Sequence, residues 1–183
     1  MPAQAELISA LVNLAVPGLG RIPTPDLQPE EVVEQFAANL SPATARELLA
    51  EDSATELVTL AHELHKAFVA PDLRAAVVVL NDLLHRYNAR PYLVEDVGQP
   101  FHLHFHGDHG TVARRFGGEF ATALALTVDT YGEKRFGTCE ASECSRVYVD
   151  LTRNGSRRYC NDSCGARAKM AAYRQRKSNS ASG

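Results

Sequence analysis

The residues of this 183-residue chain best placed to do chemistry are four cysteines, spaced Cys139-x4-Cys144-x15-Cys160-x3-Cys164. Two short pairs separated by a longer spacer match what one tetrahedral metal ion requires of a chain. Each short pair makes a turn that points two thiolates at one ion, and the spacer lets the chain leave and return. Four thiolates fill a tetrahedral shell and leave no position for water. The expected ion is therefore one structural zinc per chain, with no catalytic role. The competing readings are two disulfides or four free thiols. The N-terminus lacks the basic start and apolar run of an export signal, and Glu6 interrupts it. A cytoplasmic chain with reduced thiols is expected, which argues against disulfides.

Basic residues crowd the same region. Residues 1–133 carry a net charge of −10 and residues 134–183 carry +7. An acidic body with a basic tail points to a polyanionic partner for the tail. Arg153, Arg157 and Arg158 fall in the spacer, and Arg167, Lys169 and Arg174 follow the last cysteine. Arginine forms a rigid fork of donors that suits phosphate oxygens and guanine edges. These six are the candidate nucleic-acid contacts, with double-stranded DNA as the expected partner. A solvated basic face, or one docked on the acidic body, is the plainer alternative.

A third group is His102, His104 and His106, which alternate with Leu103 and Phe105. Side chains on a strand alternate with period two, so the imidazoles share one face, open to solvent or to a pocket. The segment His104-Phe105-His106-Gly107-Asp108-His109 also matches the H-x-H-x-D-H string of metallo-β-lactamase-fold hydrolases, which hold a zinc pair. That fold needs another histidine downstream, and His109 is the last one here. No enzyme is expected. The three histidines, with His109 near, could bind an adventitious metal or line a pocket for a small-molecule effector, and they are kept as a candidate pocket.

The elements that must position these groups read as follows. Helical periodicity covers Ala5–Val16, Pro29–Leu40, Pro42–Ala50, Ser53–Ala70 and Pro71–Asn88. In the last two, Leu57, Leu60, Leu64 and Phe68 share one face, as do Leu73, Val77, Leu80, Leu84 and Tyr87. Arg90–Val97 and Phe101–His106 predict a hairpin around Gly98-Gln99-Pro100. Thr111–Tyr131 predicts a long helix whose stripe is Val112, Phe116, Phe120, Leu124 and Val128. In the tail, Val147–Val149 predicts a strand that turns at Asn154-Gly155 and returns as Arg157–Cys160. Asn161 or Asp162 then caps a helix to about Lys177. The chain thus divides near Gly132–Lys134 into an α+β domain, mainly helical with a small antiparallel sheet (residues 1–133), a module of residues 134–177, and a short disordered tail at 178–183. An apolar content of 45% supports an ordinary core. The longest apolar run, Ala75–Leu80, falls far short of the roughly 20 residues a membrane span needs.

The tail's motifs together resemble the CGNR zinc-finger family. They are Cys139-Glu-Ala-Ser-Glu-Cys144, Val147-Tyr148-Val149-Asp150, Thr152 to Cys160, and Cys164-Gly165-Ala166-Arg167-Ala168-Lys169. The resemblance spans about residues 135–177 and implies a treble-clef-like finger with four cysteine ligands. The signature Cys-Gly-Asn-Arg here reads Cys-Gly-Ala-Arg, so position 166 lacks an amide that could bond phosphate, base or backbone. Residues 5–131 more loosely resemble the ABATE domain that accompanies this finger. That likeness lies in Leu11-Val12-Asn13, Asn81-Asp82-Leu83-Leu84, the hairpin and the long helix. Together the resemblances imply a bacterial, stress-induced transcription regulator with a sensing or homodimerising N-terminal domain.

Overall fold

The structure is a computed structural model, and residues 2–95, 101–105 and 110–181 are described. Seven helices and four short strands occur among them. α1 (Pro2–Ala15) buries Ile8, Leu11, Val12 and Ala15. α2 (Pro29–Ala37) begins with proline, and the Gln28 N–H donates to Glu31 Oε2 at 2.8 Å. α3 (Pro42–Ala50) is capped by Ser41, whose Oγ accepts the Thr44 N–H at 3.2 Å. α4 (Ala54–Val69) buries the expected Leu57, Leu60, Leu64 and Phe68.

α5 (Leu73–Arg86) starts at Asp72, which accepts the Ala75 N–H at 2.8 Å. Its buried stripe is Ala76, Leu80 and Leu83, turned by one position from the one expected. Tyr87 follows the helix as its C-cap. Its ring lies against Gly117, and its hydroxyl donates to the buried Glu63 at 3.0 Å. Arg86 pairs with the same carboxylate. α6 (Val112–Tyr131) is capped by Thr111 and ends at Gly132, whose φ of +66° is the left-handed conformation that suits glycine.

Two antiparallel pairs complete the fold. β1 (Pro91–Val94) pairs with β2 (His102–Phe105) in the register Tyr92 to His104 and Leu93 to Leu103. The expected turn at Gly98-Gln99-Pro100 lies outside the described residues. β3 (Phe136–Thr138) pairs with β4 (Val147–Val149). This corrects the expectation that Val147–Val149 pairs with Arg157–Cys160. Segment 150–160 is instead held by side chains, which leaves the ladder to the strand before Cys139. α7 (Asp162–Ala181) closes the described chain and passes the expected end at Lys177.

The hairpin β3–β4 does not stand apart from the helical part. Phe136, Val147 and Val149 belong to the same buried cluster as the helices. Phe136 meets Phe68 edge to face at 5.5 Å. Asn13 of α1 clamps β4 at both ends of one residue: its Oδ1 accepts the Val147 N–H at 2.7 Å, and its Nδ2 donates to the Val147 carbonyl at 3.0 Å. Lys134 Nζ donates to the Phe68 and Ala70 carbonyls, both at 2.8 Å, at the end of α4. None of the described helices is long and apolar enough to cross a membrane.

Candidate metal centre and nucleic-acid surface

Two tight turns bring the sulfurs together. Between Cys139 and Cys144 the chain reverses through Glu143, a non-glycine residue at φ +58°. The Cys144 N–H bonds the Ala141 carbonyl at 3.1 Å, and the Cys139 N–H bonds the Arg146 carbonyl at 2.8 Å. Between Cys160 and Cys164 the chain enters α7. There Asn161 Oδ1 accepts the Cys164 N–H at 2.9 Å, as a helix cap does.

The sulfurs of Cys144, Cys160 and Cys164 lie 3.6–3.8 Å apart, and all four sulfurs lie within 4.8 Å of one another. A tetrahedral ion with bonds of about 2.3 Å holds its sulfurs about 3.8 Å apart, whereas a disulfide needs about 2.05 Å. All four cysteines are free thiols. They are positioned to hold one metal ion between them, and Cys139 and Cys164 are buried.

Burial pushes the Cys160 and Cys144 thiols up. Burial also opposes ionisation of Cys139, but backbone N–H groups of Cys160 and Ala141 more than offset it and draw that thiol below its usual range. A divalent cation held by these four cysteines would supply the charge that lets all of them ionise, and its binding would release protons. Arg167 helps locally: its Nη2 donates to the Ser142 carbonyl at 3.3 Å and lies 3.5 Å from Cys164 Sγ.

The other candidate basic residues divide into two groups. Arg157 is committed to its own loop. Its guanidinium donates to the carbonyls of Val149 at 3.2 Å, Tyr159 at 3.1 Å and Cys160 at 2.6 Å, and stacks over Tyr148. Arg158 is tied to Glu140, with Nε 2.6 Å from Oε2. Arg153, Lys169 and Arg174 are exposed and make no hydrogen bond or ion pair among the described residues. Lys177, further along α7, is exposed and uncommitted in the same way.

Residues 169–177 of α7 are exposed throughout, so this helix projects past its first turns. An open groove of about 720 Å³ runs between its start and the loop, lined by Thr152, Ser156, Arg158, Tyr159, Ala166 and Lys169. Position 166, where the signature asparagine is absent, therefore faces the groove.

One residue that shapes this surface escaped the reading of the sequence. Asp150 is 2% exposed. Its Oδ1 accepts the Thr152 N–H at 2.8 Å and the Thr152 hydroxyl at 2.5 Å, and its Oδ2 accepts the Arg157 N–H at 2.7 Å. The signal was available, because aspartate two residues before threonine is a turn signature. Asn13, which anchors the module from 134 residues away, entered the reading only as part of the Leu11-Val12-Asn13 likeness.

His102 and His104 line a cleft between β2 and α6, while His106, Asp108 and His109 lie outside the described residues. The imidazole face of β2 turns inward onto α6, and Leu103 is 55% exposed on the other side.

The curated proteins contain no match to this chain. Residues 135–177, which hold the four sulfurs, both metal-facing turns and the start of α7, match the family model described as the CGNR zinc finger.

Proposed function

We propose that the chain is a DNA-binding transcription regulator whose C-terminal module is ordered by one structural zinc. The observation that carries this reading is α7. It is a helix of 20 residues that starts in the four-sulfur cluster and is exposed over residues 169–177, where Lys169, Arg174 and Lys177 make no hydrogen bond or ion pair among the described residues. Such a helix is about 30 Å long and fits a DNA groove. Arg153 extends the positive surface to the loop. Arg157, Arg158 and Arg167 serve chiefly to hold the loop and the sulfurs in place.

The likeness to the finger family supports zinc as the ion and phosphodiester as the partner. In this reading residues 1–133 are the ABATE-like domain of a bacterial, cytoplasmic, stress-responsive regulator and have no catalytic role. They sense an effector or pair two chains. One finger covers few base pairs, so a homodimer on a repeated site supplies the affinity.

The test is titration of duplex DNA at several salt concentrations. Three or four phosphate contacts predict a log–log slope of about −3. Binding without salt dependence, or no binding at low salt, contradicts the reading.

Met170 and Tyr173, 52% and 55% exposed on the same helix, favour a second reading in which the module docks on an acidic protein. Competition by unrelated polyanions with no sequence preference among DNA duplexes selects that reading.

A further inference from the structure

The cleft between β2, α6 and the start of α1 has a volume of about 300 Å³. His102 Nε2 and His104 Nε2 lie 3.0 Å apart at its wall. On the opposite ring nitrogen of His104, Nδ1 faces Glu119 Oε1 of α6 at 3.5 Å. Thr122 and Gln4 also line the cleft, with two of their oxygens, Thr122 Oγ1 and Gln4 Oε1, beneath its surface. Both are buried and lack a hydrogen-bond partner among the described residues.

Each feature bears on what the cleft can hold. Adjacent strand residues of one face ordinarily splay apart, yet these two rings converge, with centroids 4.9 Å apart. Imidazoles that bind metals commonly present one nitrogen to the ion and the other to a carboxylate, which fixes the tautomer and raises basicity. His104 has that arrangement with Glu119.

We propose that this cleft is a second metal site, for a divalent transition ion bound by His102 Nε2 and His104 Nε2. The spacing lets both nitrogens reach one ion. With metal–nitrogen bonds of about 2.0–2.1 Å, nitrogens 3.0 Å apart subtend about 95° at the ion. Nickel(II), copper(II) and zinc all take imidazole ligands, and an angle near 90° is ordinary for the first two. Glu119 acts as a positioning residue. The site shares no ligand with the thiolate cluster, so it stands or falls independently of the DNA-binding reading.

The experiment uses full-length, tag-free protein with its cysteines loaded with zinc, titrated calorimetrically with nickel(II). The expected result is one nickel equivalent per chain without zinc release to a chromogenic chelator. Binding should weaken at least tenfold in His102→Ala and in His104→Ala, and 10- to 100-fold in Glu119→Gln. In the unaltered protein, where folding is not in question, paramagnetic nickel should broaden the ring signals of His102 and His104 before those of His62, His65 and His85. Equal affinity in the His102→Ala/His104→Ala double variant overturns the proposal. So does release of zinc in step with nickel uptake, or broadening that begins at the other histidines; the 3.0 Å contact would then be only a hydrogen bond between rings.

Discussion

Replacing Asp150 with alanine should unfasten the loop that carries Arg157 to the metal-binding cysteines. The carboxylate is 2% exposed and accepts three hydrogen bonds, two from Thr152 and one from the Arg157 N–H. A hydrogen bond to a charged group contributes roughly 1.5–3 kcal/mol. Thr152 is exposed, so water can serve its hydroxyl once the carboxylate is gone. The loss is therefore nearer two such bonds than three, about 3 kcal/mol, or roughly a 150-fold fall in the folding constant.

Asparagine keeps one acceptor oxygen, so Asp150→Asn should lose about half as much. Burial alone would raise the pKa of this carboxyl, but the Thr152 hydroxyl and the Arg157 and Thr152 N–H groups outweigh it and hold it below the usual range. A depressed folded pKa gives stability that is complete above the unfolded value of about 3.9 and is lost as pH falls through the folded one. The penalty in Asp150→Ala should therefore be constant between pH 7 and 5 and shrink below about 4. Guanidinium denaturation followed by far-ultraviolet circular dichroism, at fixed free zinc, measures it. A loss below about 0.5 kcal/mol at pH 7, the range of ordinary surface substitutions, would refute the reasoning, as would a loss that grows on acidification.

Three other outcomes are expected. Asn13→Ala strands the Val147 N–H and carbonyl and should cost about 2 kcal/mol in the same denaturation assay. Gly117→Ala should gain about 1 kcal/mol of helix propensity but drive a Cβ into the Tyr87 ring. Overpacking of that kind costs about 1–3 kcal/mol, so the net change in thermal denaturation should be destabilising. Lys169→Ala with Arg174→Ala removes two uncommitted cations. It should leave stability unchanged and reduce the salt slope of DNA binding by about 2.

The parts of this fold legible in the sequence are those governed by local rules. The four-residue stripe of α6 and the apolar face of α4 both depend on neighbours along the chain. The cysteine spacing is legible for the same reason, since each short pair needs only a tight turn. Pairings between distant segments were not legible. β4 pairs with β3 because Asp150 and Arg157 tie the following segment with side-chain bonds. The α5 stripe lies one position from the expected one, and Tyr87, just past the helix, packs on a glycine in α6 and bonds Glu63 in α4. Of the candidate arginines, type and position alone could not separate Arg157, whose donors are spent on carbonyls, from Arg153, whose donors are uncommitted. That difference exists only once the loop is closed.

The most direct test of the metal-ordered module is X-ray absorption at the zinc edge, on protein holding one zinc per chain. Sulfur spacings of 3.6–3.8 Å predict a shell of four sulfurs at about 2.3 Å. A shell with nitrogen or oxygen in place of any sulfur, or protein that retains no stoichiometric zinc, would contradict it.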